Sequence, residues 1–316
     1  MLRMKRLRNA FISHMHAHYM LTQQLMQDVM LNVLSKLSHR LGISLPHAAA
    51  AAQRNAAAKA EAATRADLAA TYRLLDKMGL NEGVCNHLTA LVPGRTDRFL
   101  VIQYGLLWSE VTADNLVLID ATGKILQGDG PVEVTAFEIH RAIHLADPKR
   151  NVCVLHTHMP YATALCCIGS QPAAVPPGKH AEWPLVMCHQ NSARFYREVA
   201  FDECFNGLVT DSTEGDRLAA AMGGKRIMLH KNHGVIVCGS SVAEAFDDLY
   251  YLERAAHTQI LAMSTGQPLA IMRDEVAKGT KAAFDAEKPT AARLHLSAWM
   301  RQLKREDAAA RALGAV

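Results

Sequence analysis

The sequence predicts an α/β fold, a three-layer α/β/α sandwich around a mixed, largely antiparallel sheet. Two observations carry this prediction. Segments with helical spacing of apolar residues flank the middle of the chain, and short runs rich in Val, Leu and Ile lie between turn dipeptides such as Pro93-Gly94 and Thr122-Gly123. The motifs GxGxxG and GxxxxGKS or GxxxxGKT are absent from the 316 residues, which disfavours the nucleotide-binding α/β folds.

The first half of the predicted domain is a helix followed by a strand meander. From residue 64, apolar side chains recur at helical spacing as far as Met78, and Gly79 is typical of a helix end. The apolar runs that follow are separated by glycine and proline, so we expect antiparallel strands joined by tight turns. These strands are predicted at residues 87–92, 98–103, 115–120 and 123–128.

The second half alternates helices with strands. A helix over residues 132–145 ends before Pro148, and a later helix begins at Pro160, because proline is favoured at the first helical position. Ser240 or Ser241 is predicted to cap the last long helix of the domain. The other predicted elements are strands at 151–158, 184–189, 226–230 and 234–239, and a helix at 213–222.

Charge is unevenly distributed and divides the chain into three parts. Residues 1–60 hold eight Lys or Arg against one acid, whereas the remainder holds 26 basic and 29 acidic residues. We therefore expect a basic, Ala-rich and flexible extension over residues 1–61, with a presequence as the alternative, then a folded domain over 62–266 and a helical tail over 267–316. The balanced charge of the body argues against a nucleic-acid partner.

Apolar runs and cysteines indicate the compartment. No run approaches the roughly 20 apolar residues that cross a bilayer, so no membrane-spanning helix is predicted. The seven cysteines are odd in number and form no CxxC pair, which favours reduced thiols over a disulfide framework. We expect a globular protein in the cytoplasm.

Candidate metal ligands stand at the end of the strand predicted at residues 151–158. His156 and His158 are two residues apart, so both side chains project from one face of the strand, about 6–7 Å from each other. His233 lies in an Asn-His-Gly turn between two apolar strands, and a catalytic zinc site needs three protein ligands. On spacing alone, a capped buried strand and a metal site are equally good interpretations.

A second histidine pair offers a rival interpretation. His140 and His144 are four residues apart on a predicted helix and share one of its faces, a spacing that also chelates metal ions. No third ligand is close in sequence, and Glu138 falls on a different face of the helix. We expect a structural or supporting role for the pair, with His140 the closer of the two to a site.

Three stretches, in order along residues 62–266, carry a family resemblance: FLVIQYGLLWSEVTADNLVLID, AFEIHRAIHLADPKRNVCVLHTH and LHKNHGVIVCGSSVAEAFDDLYYLE. The chain resembles the class II aldolase and adducin head-domain family. This resemblance implies α/β/α domains assembled as a homotetramer, and a divalent metal held by His156, His158 and His233. Zinc is the expected ion, with Mn, Fe and Co left open. The implied chemistry is cleavage of a carbon–carbon bond in a small molecule through a metal-stabilised enolate.

The sequence departs from the sugar-phosphate aldolases of that family at the position for proton transfer. Their catalytic glutamate, four residues before the histidine that resembles His140, is replaced here by Ala136. Alanine carries no transferable proton, so another group must serve as acid and base. The candidates are a metal-bound water, His140, Glu138, Glu133, and a Tyr or His of a neighbouring subunit such as His295.

A second departure concerns phosphate. The small polar residues that bind phosphate in the sugar-phosphate aldolases fall on His87, on Gly105 beside Tyr104, and on Thr135 beside Val134. Gly105 and Thr135 stay as substrate-binding candidates, but the resemblance implies that a phosphate pocket is mostly lost. A phosphorylated substrate is therefore disfavoured.

The expected function is a metal-dependent carbon–carbon lyase, aldolase- or decarboxylase-like, that acts on a small non-phosphorylated hydroxy- or oxo-acid. One alternative is a non-catalytic, adducin-like assembly or binding module in which the histidines persist as a structural site. Another is a sugar epimerase of the same family. Those epimerases usually act on phosphorylated pentuloses, so the loss of most phosphate-binding residues argues against an epimerase.

Overall fold

The structure, a computed structural model, describes residues 45–169, 183–209 and 211–312. Its centre is one eight-stranded sheet. The strands are β1 His87–Leu91, β2 Arg98–Val101, β3 Val117–Asp120, β4 Ile125–Gln127, β5 Cys153–Thr157, β6 Val199–Asp202, β7 Ile227–His230 and β8 Gly234–Gly239.

The sheet is mixed and largely antiparallel, as the sequence predicts. The strand order is β4-β3-β2-β1-β5-β8-β7-β6. Every neighbouring pair is antiparallel except β6 and β7, which run parallel. Strand β5 lies in the interior of the sheet, so that β1 and β8 flank its last residues on both sides.

Among the residues that the structure describes, six helices and two short 3-10 turns accompany the sheet. None of the helices in the described part of the chain is long and apolar enough to cross a membrane. The helices are α1 Leu45–Lys77, α2 Val134–Ala146, α3 Pro160–Cys166, α4 Ser212–Ala221, α5 Val242–Met263 and α6 Asp274–Ala312, and the 3-10 turns are Trp108–Glu110 and Ser192–Phe195.

Helices pack against both faces of the sheet, which confirms the three-layer α/β/α architecture. On one face, Ile139 of α2 and Leu218 of α4 lie in a core cluster with Val154 of β5. The next strand residue, Leu155, lies in the other cluster, where it is joined by Leu249 of α5. Successive residues of a strand point to opposite faces, so one short apolar run serves both layers.

The chain divides into two compact units, residues 1–59 and residues 60–316, and the second contains the whole sheet. Helix α1 begins at Leu45, so residues 45–61 of the segment expected to be flexible are helical. The first 44 residues of that expected extension lie outside the described part of the chain. Helix α6 occupies most of the expected C-terminal tail.

One predicted strand is wrong, and one strand escaped prediction. Residues 184–189 form turns and bends, because the side chain of Gln259 binds their backbone in place of a neighbouring strand. Val186 N–H donates to Gln259 Oε1 (2.9 Å), and Gln259 Nε2 donates to the carbonyl of Pro184 (2.7 Å). The missed strand, β6, has four residues, too few for a period to show. The other predicted helices and strands are confirmed, with ends shifted by a few residues, except that α1 begins at Leu45 and not at the predicted residue 64.

Tyr72 of α1 fixes the position of β1. Its hydroxyl accepts a hydrogen bond from the N–H of Leu88 (2.8 Å) and donates one to the carbonyl of the same residue (2.5 Å). Leu88 therefore points into the core on the side of α1, and its neighbours His87 and Thr89 point toward the face that α2 covers. The register of β1 against β5 places His87 directly opposite His156.

Candidate metal centre

Three histidines converge where β5 ends and β7 turns into β8. His156 lies in β5, His158 follows that strand, and His233 lies in the turn. One ring nitrogen from each is within 4.8 Å of those of the other two, and the ring centroids are 4.7–5.0 Å apart. Within the described ranges, no other three His, Cys, Asp or Glu side chains come together in this way. The structure thus brings the three predicted ligands to one point.

Backbone conformation and close packing explain the residue at each position of the Asn-His-Gly turn. Asn232 has a φ of 59°, a left-handed conformation that asparagine tolerates better than most side chains. The following residue, His233, is thereby aimed back at the end of β5. A Cβ atom on Gly234 would lie 2.6 Å from Cδ2 of His158, which is closer than real Cβ contacts allow. Glycine therefore lets β8 begin against the His158 ring.

Hydrogen-bond acceptors orient two of the three rings. Nδ1 of His156 donates to the carbonyl of Val235 (2.9 Å), and Nδ1 of His158 donates to the carboxylate of Glu82. A carbonyl and a carboxylate can only accept, so Nδ1 carries the hydrogen in both rings and Nε2 keeps its lone pair. This is how metal-ligating histidines are usually held, with the outer nitrogen fixing the tautomer.

The third ring is oriented by another histidine. Nε2 of His230 donates to the carbonyl of Cys204 (3.2 Å) and lies 3.3 Å from a carboxylate oxygen of Asp202. The neutral His230 ring therefore has a bare Nδ1, which accepts from Nδ1 of His233 across 3.2 Å. The Nε2 of His233 is left with a free lone pair, as in the other two ligands.

The charge and burial of the cluster fit a divalent cation. Burial, with a smaller effect from neighbouring rings, lowers the pKa of His233 to about 4 and lowers the pKa of His156 well below its ordinary value. Nε2 of His158 is enclosed and has no hydrogen-bond partner among the described residues, an arrangement that is costly unless something occupies the lone pair. Three imidazoles whose Nε2 atoms are free, placed around one point, match a zinc-type site with one open position.

A second row of histidines lies directly behind this cluster. The ring of His87 is 5.0 Å from that of His156, centroid to centroid, across the β1–β5 ladder. Nδ1 of His87 is 2.9 Å from Nε2 of His140 on α2. The sequence placed His140 near a site, and the structure puts it one ring away from the ligands, 1% exposed, with His87 in between.

The same row continues along α2 to the backbone. The hydroxyl of Thr89 lies between the two helix histidines, 2.6 Å from Nδ1 of His140 and 2.7 Å from Nε2 of His144. Nδ1 of His144 donates to the carbonyl of Asn151 (2.5 Å). We call the chain formed by His87, His140, Thr89, His144 and the Asn151 carbonyl the histidine relay.

The two glutamates named as acid–base candidates have partners elsewhere. The carboxylate of Glu133 caps α2 by accepting a hydrogen bond from the N–H of Ala136 (2.6 Å). Glu138 forms an ion pair with Arg141 on the same helix (3.3 Å). Because α2 begins at Val134, Ala136 is in its first turn, and its methyl group is buried.

The two substrate-binding candidates do not form a donor cluster. The hydroxyl of Thr135 donates to the carbonyl of Val209 (3.0 Å). Gly105 has a φ of 96° in a turn, where the place of a Cβ atom has no other atom within 4 Å. Only the backbone of Gly105 is therefore available to a ligand.

His295, the candidate for a group contributed across subunits, is engaged within its own chain. Its Nδ1 donates to the carboxylate of Asp247 on α5 (2.7 Å), and its Nε2 accepts from the indole N–H of Trp299 (3.0 Å). Both ring nitrogens are thus satisfied. The contacts tie α6 to α5, which is the structural role that an amphipathic tail helix needs.

The relay makes stability depend on pH. Burial lowers the pKa of His144 from 6.5 to about 4, so the unfolded chain binds a proton at a higher pH than the folded one. The stabilisation is complete above pH 6.5 and is lost as the pH falls toward 4. We expect the free energy of unfolding, measured by urea denaturation, to fall by about 2 kcal/mol between pH 7.5 and 5.0 from this group. His144→Gln should remove that part of the pH dependence, and an unchanged pH dependence would contradict the assignment.

A three-layer α/β/α sandwich with three histidines that converge at the end of a central strand defines an α/β protein with a candidate metal site. The chain belongs to the class II aldolase and adducin N-terminal domain family, whose model matches residues 66–260.

Known relatives agree with this assignment. A Pseudomonas aeruginosa protein named "Putative aldolase class 2 protein" is 34% identical over 225 residues, which cover 70% of this chain and 80% of the relative. An adducin-related protein of Schizosaccharomyces pombe is 34% identical over 207 residues, 63% of this chain and 59% of that protein. The crystal structure of an aldolase II superfamily protein from Pseudomonas syringae matches with a TM-score of 0.69 and 31% identity over 78% of this chain and 94% of that chain.

Proposed function

We propose that the protein is a divalent-metal-dependent carbon–carbon lyase, aldolase- or decarboxylase-like, that acts on a small non-phosphorylated hydroxy- or oxo-acid. The observation that carries this proposal is the set of three oriented Nε2 lone pairs on His156, His158 and His233. Structural zinc sites close with four protein ligands, whereas three ligands with an open position are typical of catalysis.

The residues of the chain would bind the ion and hold its ligands in place. The three histidines offer the lone pairs, and Glu82, the Val235 carbonyl and His230 keep the rings in the required tautomer. When bound, zinc, or Mn, Fe or Co in its place, supplies Lewis-acid polarisation of a substrate carbonyl or carboxylate.

Proton transfer needs a group other than residue 136. Glu133 and Glu138 are committed to a helix cap and an ion pair, and His140 reaches the site only through His87. We therefore expect the proton to pass through His87, through solvent, or through a Tyr or His of a neighbouring subunit in a homotetramer.

The substrate side of the site favours a ligand without phosphate. A phosphate dianion needs several hydrogen-bond donors or cations around it. At the positions that match the phosphate-binding residues of the sugar-phosphate aldolases, few donors are available. Thr135 donates its hydroxyl hydrogen to the carbonyl of Val209, and Gly105 has only backbone groups to offer. His87 stands where those aldolases have an asparagine amide. A sugar-phosphate lyase or epimerase is disfavoured for the same reason.

A non-catalytic assembly module is the second candidate function. The specific observation in its favour is the 34% identity to an adducin-related protein, together with the alanine at position 136. In that case the histidine cluster would retain a metal that stabilises the fold, and no small molecule would be turned over.

The cellular context follows from the cysteines and from the family. All seven cysteines are free, and Cys153, Cys166 and Cys238 are buried. Reduced thiols in the core suit a reducing compartment, so we propose a cytoplasmic protein. We also propose a homotetramer, with a small molecule and no nucleic acid as its ligand.

A turnover screen separates the two functions. The purified full-length chain, loaded with one equivalent of zinc or manganese, is incubated with a panel of hydroxy- and oxo-acids, and release of pyruvate, aldehyde or carbon dioxide is recorded. The apo protein prepared with a chelator is the control. Metal-dependent release from at least one acid is expected. Stoichiometric metal without release from any panel member would favour the assembly module.

A further inference from the structure

The hydrogen bonds of the histidine relay can run in only one direction, because the backbone carbonyl at one end of it can only accept a hydrogen bond. The carbonyl of Asn151 accepts from Nδ1 of His144, so the hydrogen of this ring is on Nδ1 and its Nε2 is bare. Burial keeps the ring neutral at neutral pH, which leaves no second hydrogen for Nε2.

The position of the hydrogen on each of the other relay members follows from this starting point. Thr89 has a single hydroxyl hydrogen, which goes to the bare Nε2 of His144, so its oxygen must accept from Nδ1 of His140. The neutral His140 ring therefore has a bare Nε2, and it accepts from Nδ1 of His87. The last nitrogen of the relay, Nε2 of His87, is left without a hydrogen.

The ring that carries this nitrogen lies beside the candidate metal centre. The His87 ring lies 5.0 Å from the ring of His156, centroid to centroid, directly across the β1–β5 ladder. Nε2 of His87 has no hydrogen-bond partner in the described part of the chain, yet it is not one of the enclosed unpaired atoms, so it reaches solvent. His87 as a whole is only 4% exposed, and that small opening is where a ligand would meet the nitrogen.

We propose that His87 is the specificity-determining residue of this site, and that its bare Nε2 accepts a hydrogen bond from the hydroxyl group of a substrate held at the three ligands. This inference rests on the proposed function and narrows it to hydroxy-acids in preference to oxo-acids. A hydroxyl supplies the hydrogen that Nε2 needs, whereas a keto oxygen faces it with a second lone pair. The anionic oxygens of a phosphate would be rejected for the same reason.

His140, Thr89 and His144 are positioning residues in this scheme. They touch no substrate, but they set which nitrogen of His87 carries the hydrogen. Thr89 is the residue whose substitution tests this role. Thr89→Val removes the hydroxyl, so that His140 can carry its hydrogen on either ring nitrogen. Thr89→Ser keeps the hydroxyl and is the matched control.

The test uses the full-length, zinc-loaded protein with lactate and pyruvate as probes, since the two differ mainly in the hydroxyl hydrogen. Calorimetric titration should show lactate bound about tenfold more tightly than pyruvate, the effect of one hydrogen bond. The preference should vanish in His87→Phe with bound zinc retained. It should shrink in Thr89→Val and persist in Thr89→Ser.

Nitrogen-15 spectra of histidine-labelled protein give a readout independent of affinity. They should show His87 with a bare Nε2 in the wild type and in Thr89→Ser, and a mixture of tautomers in Thr89→Val. Equal binding of both acids to the wild type, or a protonated Nε2 on His87, would overturn the inference while leaving the proposed lyase intact.

Two further outcomes have distinct meanings. Loss of zinc from His87→Phe, with the fold retained by circular dichroism, would make His87 a fourth ligand and overturn its role as a substrate acceptor. Failure of both acids to bind the zinc-loaded wild type would deny the open coordination position, and the proposed function would fall together with the inference.

Discussion

Replacing His233 with alanine is expected to strip the protein of its metal. The wild type should retain about one equivalent of zinc after gentle purification, and His233→Ala less than about 0.1 equivalent, because two imidazoles cannot close a zinc site. Elemental analysis after dialysis gives the stoichiometry. Competition with a chromophoric chelator gives the affinity, which should fall by more than about a hundredfold.

The matched control for this substitution is His257→Ala. His257 also lies in the folded unit, but its ring stacks on Tyr161 and is outside the cluster of three. It should keep the metal content of the wild type. A His233→Ala protein with full metal would show that the ion is held elsewhere, and the lyase proposal would lose its central observation.

Gly234→Ala is expected to damage the same site from the backbone side. The new Cβ atom would lie 2.6 Å from Cδ2 of His158 and 2.7 Å from the carbonyl oxygen of Thr157. The carbonyl belongs to β5 and cannot move without disturbing the ladder with β8, so the ring must turn away or the strands must separate. We expect a loss of about 1–3 kcal/mol in the free energy of unfolding, and zinc affinity at least about tenfold weaker.

The measurements for Gly234→Ala are urea denaturation and zinc affinity by chelator competition, the first with and without zinc. Gly279→Ala is the control, since this glycine lies in α6 with no atom within 4 Å of the place of its Cβ. That variant should bind zinc as the wild type does and lose no stability. Wild-type zinc affinity in Gly234→Ala would mean that the close approach of β8 to His158 does not position the ligand.

Most of the secondary structure was predictable, because local patterns specify it. Asp211 and Ser241 accept hydrogen bonds from the first turns of α4 and α5, as their positions before apolar helical segments indicate. The strand predicted at residues 184–189 is wrong because an apolar run indicates that a segment is buried, but not which groups form hydrogen bonds with its backbone. Gln259, 75 residues from Pro184, supplies the hydrogen bonds that a strand would have supplied.

The candidate ligands were predictable in part for the same reason. The spacing of His156 and His158 on a strand is local, and so is the turn that presents His233. The two halves of the histidine relay are also visible in the sequence. One is the pair His87 and Thr89, two residues apart on a strand, and the other is the pair His140 and His144 on α2. Neither pattern says that this strand face and this helix face meet.

The sequence by itself determined the α/β class, most of the elements and the identity of three histidines that suit a metal, because period, caps and spacing act over a few residues. Only the tertiary structure decided what surrounds those histidines. Glu82 meets His158 across 76 positions of sequence, and His87 meets His140 across 53. Such pairings depend on the register of β1 against β5 and on the packing of α2 over them, and both arise from the burial of the whole sheet.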